Sequence, residues 1–224
     1  MLRPVPSAYR LHVFDYNYSS WSMRAGVVMR ASGVDFDESR LHLDDASRAG
    51  IRELSPSGLL PLLEHGERRI GDSLAIAEYM AEQCPERALW PRDAHARAAA
   101  RSASAEMHSG FTAIRTAMPM NLRARYPGFA RSADVERQVA RVKELWADLR
   151  RRFGRGGEYL CGEFGIVDAM YAPVVARFRS YDVRLDGVCA GYAGAVWRHP
   201  AVASWEAAAA REELRIPAYE FVVG

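Results

Sequence analysis

The chain has 224 residues, 49% of them apolar, and a formal net charge of +2. That is enough apolar material for one large domain or two small ones, and it excludes a disordered chain. Acidic and basic residues are mixed except for one cluster at Arg150, Arg151 and Arg152, so no nucleic-acid footprint is present.

No apolar run reaches the ~18 residues of a membrane span, so no membrane association is expected. Cys84, Cys161 and Cys189 lie far apart with no C-x-x-C pair. Neither a disulfide framework nor a zinc site follows, and no metal is expected; a reducing, cytoplasmic compartment fits. Residues 1–8 hold Pro4 and Pro6 without an apolar stretch and read as a loose tail, not a signal peptide.

Residues 10–16 alternate and predict a strand. A helix follows over 20–32, with Ser19 or Ser20 where an N-cap belongs and Gly33 as its C-cap. Residues 36–43 predict a second strand, and 44–54 a short helix capped by Asp44. After the turn residues Ser55, Pro56, Ser57 and Gly58, a strand is predicted over 59–64, with Pro61 near its start, where a proline cannot donate to a ladder. Residues 67–70 form its hairpin partner. Gly71, Asp72 and Ser73 open a helix to about Gln83. This order makes a small α/β unit with a mixed sheet.

Residues 84–92, with Pro85 and Pro91, read as a linker. Strand signals then vanish. Residues 93–125 predict one long helix or two in series, kinked at Pro119. Met107, Phe111, Ile114 and Met118 line an apolar stripe, beside a polar stripe of His108, Thr112 and Arg115. Residues 134–153 are amphipathic, with Val135, Val139, Val142, Trp146, Leu149 and Phe153 on one face. Residues 166–181 predict a mostly apolar, buried helix that carries Tyr171, Arg177 and Tyr181. Further helices are predicted over 187–197 and 201–213, and an extended tail from Ile216.

The stretch that carries chemistry is Ser19-Ser20-Trp21-Ser22-Met23-Arg24. A helix N-terminus offers unpaired N–H groups and a partial positive charge to an anion such as a thiolate. The layout matches the C-x-x-C-x-R helix start of glutaredoxin-like proteins, with serine at both cysteine positions. Dithiol redox chemistry is therefore excluded, and a site for a thiol brought by a ligand remains.

A mixed-sheet α/β unit followed by an all-helical unit resembles the cytosolic glutathione S-transferases, and three motifs add to the likeness. The serine turn is similar to that of serine-type members such as the tau and zeta classes. Ser55-Pro56-Ser57-Gly58-Leu59-Leu60-Pro61 resembles the family's N-P-x-G-K-V-P segment, whose last proline is cis. Asp72-Ser73-Leu74-Ala75-Ile76 resembles its [E/D]-S-x-A-I.

The resemblance implies a thioredoxin-like domain over 9–83, a linker over 84–92 and an all-helical domain over 93–224. It implies a homodimeric glutathione transferase, with glutathione as co-substrate and a small hydrophobic electrophile as partner. Ser19, or else Ser20, would stabilise the thiol. The Leu60 backbone beside Pro61 would pair with the cysteinyl unit, and Asp72 and Ser73 would hold the γ-glutamyl end. Trp21, His108, Thr112 and Arg115 would line the electrophile pocket.

Four departures matter. Ser55 replaces an asparagine. Leu59 replaces a lysine that usually faces the glycyl carboxylate, leaving Arg40 or His42 as candidates for that contact. Trp21 stands where zeta-class isomerases carry cysteine, which argues against maleylacetoacetate-type isomerisation. Gly165 at a helix cap leaves Asp168 as a structural residue. A glutathione-dependent peroxidase or dehalogenase, or a non-catalytic glutathione-binding scaffold, are the rival readings.

Overall fold

The computed structural model describes residues 7–42, 45–55 and 57–220, without the side chains of 45–49. The first half holds four strands, β1 (Tyr9–Val13), β2 (Phe36–Arg40), β3 (Leu62–His65) and β4 (Arg68–Gly71). They form one sheet in the order β2-β1-β3-β4. β2 runs parallel to β1, whereas β3 and β4 are antiparallel to their neighbours, with Leu11 opposite Leu63 in the centre. Helices α1 (Ser20–Ser32), α2 (Asp45–Leu54) and α3 (Ser73–Gln83) accompany the sheet. The second half is helical: α4 (Ala94–Ser109), α5 (Thr112–Ala117), α6 (Ala133–Phe153), α7 (Ile166–Ser180), α8 (Gly187–Arg198) and α9 (Pro200–Ala210). Among the described residues no helix is long and apolar enough to cross a membrane. The mixed-sheet unit followed by a helical bundle agrees with the reading of the sequence.

Several elements differ from their predicted bounds. The first strand stops at Val13, because residues 16–18 turn instead of extending. Helix α9 ends at Ala210, and the tail makes one 3-10 turn, Pro217–Tyr219, instead of running extended. The break in 93–125 falls at Gly110, not at Pro119. Gly110 is extended and Phe111 takes a left-handed φ of 54°, which puts the Phe111 ring in the core at 6% exposure. Burial of an aromatic ring offsets the roughly 1–3 kcal/mol of such backbone strain. Asp44, the predicted cap of α2, lies outside the described residues.

One core runs through both halves. Its anchor in the helical half is Trp146 on the apolar stripe of α6, in edge or tilted contact with Tyr171, Phe178 and Tyr192. Asp168 is fully buried and accepts the N–H groups of Leu160 and Gly165 at 3.1 and 2.9 Å. Its role is structural, closing the loop ahead of α7 onto the helix start.

Helix α1 is the shared element, packed against α3, α7 and α9. Met23, Val27, Val28 and Met29 are buried, and so are the polar Ser22 and Arg24. Ser22 is hydrogen-bonded, whereas the three guanidinium nitrogens of Arg24 have no hydrogen-bond partner among the described residues, and the group lies against the Trp21 ring. The closest approach is at Gly26, where a Cβ would lie 2.1 Å from Cζ3 of Trp205. Glycine here lets an indole from α9 lie directly on the backbone of α1. Gly26→Ala is therefore expected to lower stability by about 2–3 kcal/mol through overpacking, measured as a fall in the thermal midpoint. An unchanged midpoint would mean that Trp205 can move aside freely.

Candidate functional site

Ser19 caps α1. Its Oγ accepts the Ser22 N–H at 3.3 Å and donates to Ser22 Oγ at 2.9 Å. Ser22 Oγ also accepts the buried Phe14 N–H at 3.0 Å. The serine run therefore ties the end of β1 to the first turn of α1. Ser20, the first residue of α1, is buried and differently partnered: its Oγ accepts from Arg177 Nη2 at 3.2 Å. A hydroxyl whose lone pair is held by a cation keeps its own proton free to donate. Ser19 thus holds the cap, while Ser20 is held by Arg177.

Both hydroxyls line a cavity of about 590 Å³ between the two halves, together with Trp21, Leu59 and Leu60 from the first half. Arg115, Pro119, Met120, Arg177 and Tyr219 close it from the second. Among the described residues that line it there is no carboxylate, while there are two guanidiniums. Arg177 is buried and also donates to the carbonyls of Met118 and Pro173. Burial and the neighbouring Arg115 press its guanidinium down to about 10. It remains protonated at neutral pH.

The Leu60-Pro61 bond is cis, as the motif implied. Leu60 stands ahead of the ladder, which starts at Leu62. Asp72 caps α3, its Oδ1 accepting the N–H groups of Leu74 and Ala75 at 2.8 and 3.2 Å. Ser73 is fully buried, and its Oγ has no hydrogen-bond partner among the described residues. A buried hydroxyl without a partner at a helix N-terminus is set to receive a polar group.

Trp21 joins the two clusters. The Arg24 and Arg115 guanidiniums lie 4.5 and 4.7 Å from its ring centre, and the His108 ring stands edge-on at 5.1 Å. His108 Nε2 lies 3.2 Å from Asp72 Oδ2. Desolvation lowers the His108 pKa, the adjacent Asp72 raises it, and Arg24 and Arg115 lower it further. The buried His108 Nδ1 has no hydrogen-bond partner among the described residues. Arg24 is entirely buried, and burial pushes its guanidinium down to about 9, with Arg177 and Arg115 acting in the same direction.

The structure thus brings Ser19, Ser20, Trp21, Leu60 and Arg115 to one cavity, and leaves Asp72, Ser73 and His108 out of its lining, with His108 set between Trp21 and Asp72. Thr112 is exposed and lines neither, because the break at Gly110 turns α5 away from the stripe that a continuous helix would carry. Arg40 and His42 are engaged elsewhere, pairing with Glu212 and Asp15 at 2.8 Å each. Arg177 was placed in the core by its apolar helix, and its buried charge was the signal that it faced something polar. Tyr219 gave no signal in the sequence.

The family profile described as the glutathione S-transferase N-terminal domain matches residues 18–83, and that of the C-terminal domain matches 132–208. The chain belongs to the glutathione S-transferase family. Glutathione S-transferase 1 of Dianthus caryophyllus is 27% identical over 172 residues, covering 74% of this chain and 76% of that relative. Glutathione S-transferase Z1 of Arabidopsis thaliana is 33% identical over 91 residues, 40% of this chain and less than half, 41%, of that one. Two solved structures share the fold. A glutathione transferase homologue from Burkholderia gl BGR1 with bound glutathione has a TM-score of 0.68 at 22% identity, covering 90% of this chain and 96% of that one. A sphingomonad glutathione S-transferase complexed with glutathione has a TM-score of 0.66 at 21% identity, covering 91% and 100%.

In this transferase, α4, α5 and residues 118–131 fall between the two family matches. They carry Arg115, Pro119 and Met120 of the cavity wall, and His108 beside Trp21. Among the described residues no group of three His, Cys, Asp or Glu could hold a metal.

Ser22→Ala removes the acceptor of the buried Phe14 N–H, and an unsatisfied buried donor costs about 1–3 kcal/mol. Urea denaturation is expected to show a loss of that size. A loss below about 0.5 kcal/mol would mean that the serine run does not hold the strand to the helix.

Proposed function

We propose that this chain is a glutathione transferase whose thiol site is the start of α1. The observation that supports it most directly is the pair of serine hydroxyls at a helix N-terminus on the wall of a cavity between the halves. The γ-glutamyl end would lie at Asp72 and Ser73, its carboxylate toward the unpartnered Ser73 Oγ and the N-terminus of α3, its ammonium toward Asp72. The cysteinyl backbone would pair with Leu60. The thiol then meets Ser19 or Ser20. A hydroxyl donor and the helix terminus favour the thiolate by about 2–3 kcal/mol. The proton leaves to solvent, and the thiolate attacks carbon to form the C–S bond; in a substitution the bond to the leaving group breaks and that group departs as an anion, and in a conjugate addition the π electrons move to the carbonyl oxygen and a proton is taken up from solvent.

The cavity narrows the choice of electrophile. Phe14, Leu59, Pro119, Met120 and Tyr219 suit an apolar body. Arg115 and Arg177, with no carboxylate beside them among the described residues of the wall, suit an end that carries or develops negative charge. A hydrophobic electrophile with an acidic or carbonyl group fits better than a purely apolar one. Peroxidase and dehalogenase chemistry use the same thiolate, and a substrate panel separates them. Leu59, 67% exposed where the family motif has lysine, favours weak holding of the glycyl carboxylate and is the feature that supports a scaffold role. A homodimer in the cytoplasm is part of the proposal, in keeping with three free cysteines.

Calorimetric titration with reduced glutathione is expected to show micromolar to millimolar binding. Ser73→Ala should weaken it without changing the thermal midpoint. Absence of heat and of a thermal shift at saturating glutathione would move the reading to a scaffold. Ser19→Ala is expected to lower kcat/KM about 10- to 100-fold with glutathione affinity kept, as for one charge-assisted hydrogen bond. If only Ser20→Ala does so, the thiol donor is Ser20. Arg115→Ala should cost a carboxylate-bearing electrophile about tenfold more than its neutral ester, on the order of 1.4 kcal/mol. Equal losses would remove the charge argument.

A further inference from the structure

The turn ahead of Ser19 is fastened from the far end of the chain. Glu212 follows α9 and its side chain is 2% exposed. Oε1 accepts the Tyr16 N–H at 2.8 Å, and Oε2 accepts the Asn17 N–H at 2.9 Å. Arg40 Nη1 donates to Oε1 at 2.8 Å and neutralises the carboxylate. Trp205 of α9 donates its Nε1–H to the Tyr16 carbonyl at 3.0 Å. Both backbone polar groups of Tyr16 are therefore held by α9 and the residues just after it.

The rest of the turn is closed in the same way. The Asn17 carbonyl accepts from Leu122 N at 3.3 Å. Its side-chain amide donates to Asn121 Oδ1 at 2.9 Å and accepts from Arg123 N at 3.0 Å. Ser19 N donates to Asp15 O at 3.0 Å, so the turn hands its orientation directly to the cap of α1. A carboxylate that spans two successive N–H groups fixes the planes of both peptides. Neither Glu212 nor Trp205 lines the cavity.

Stabilising a thiolate needs its donors within about half an ångström of their working place. A rotation at Tyr16 or Asn17 would carry Ser19 and the first N–H groups of α1 out of that range. We infer that the end of α9, Glu212 together with Trp205, is the positioning element of the thiol site. The inference rests on the glutathione transferase reading.

The sign of one measurement separates this role from the alternatives. If Glu212 acted only as a nearby negative charge, Glu212→Gln would lower the pKa of bound glutathione. If it only held the fold together, stability would fall and that pKa would stay. Positioning predicts a rise, because misplaced donors stabilise the thiolate less.

The experiment is a pH titration of the thiolate ultraviolet band of glutathione bound to the wild type, Glu212→Gln and Trp205→Phe, each checked by circular dichroism. The expected result is a rise of about one pH unit in Glu212→Gln, a tenfold smaller thiolate fraction. A smaller rise is expected in Trp205→Phe, which changes no charge and carries the test if Glu212→Gln does not fold. The affinity for glutathione should change less than threefold, since Leu60, Asp72 and Ser73 lie on other elements. A wild-type band with an unshifted or lowered pKa in the folded variants overturns the inference alone. No thiolate band in the wild type overturns the transferase reading, and the inference with it.

Discussion

The first turn of α1 has to meet two demands at once. Its N–H groups and hydroxyls must face a cavity, while the body of the same helix is sealed inside the molecule. The second demand is met by packing from three sides, and it is tight enough that Gly26 admits no Cβ beneath Trp205. The first is met by the serine run, which caps the helix and binds it to the end of β1 through Ser22. Sheet, bundle and site all depend on this helix being held immobile with one end uncovered. Preorganised donors of this kind need no reorganisation when charge appears in front of them.

Charge around that end is arranged with little compensation. Arg24 and Arg115 flank the Trp21 ring, and Arg177 lies behind Ser20. Guanidinium is weakly hydrated and stacks on aromatic rings, so it tolerates such places better than ammonium would. Asp72 is the acid that offsets the group, and it is itself shared between the α3 cap and His108. An excess of positive charge in a poorly solvated cavity raises the affinity for whatever anion enters, thiolate or substrate.

Local chemistry made much of this legible. Ser19, one of two N-cap candidates, Gly33 as left-handed C-cap and the Asp72 cap of α3 are decided by neighbours within four residues, whereas the cis Leu60-Pro61 bond was implied only by the likeness of its segment to the family motif. What failed depends on distant partners. Gly110 and Phe111 break a helix because the core takes the Phe111 ring, which no local pattern encodes. Thr112 lost its place on the polar stripe for the same reason. Arg177 looked like a core residue because its helix is apolar, although a charge kept at that depth needs partners, here Ser20 and two carbonyls. The partner of the Tyr16–Asn17 turn lies 195 residues on, beyond any window that spacing can read.

That last distance bears on how the protein comes into being. The sheet and α1 lie in the first half of the chain, yet the turn ahead of Ser19 is closed by Trp205 and Glu212 from the second. A chain emerging N-terminus first can form its first half long before it can complete that turn. A chain that ends before Trp205 and Glu212 would carry Ser19 and Ser20 without the bonds that hold the turn ahead of them.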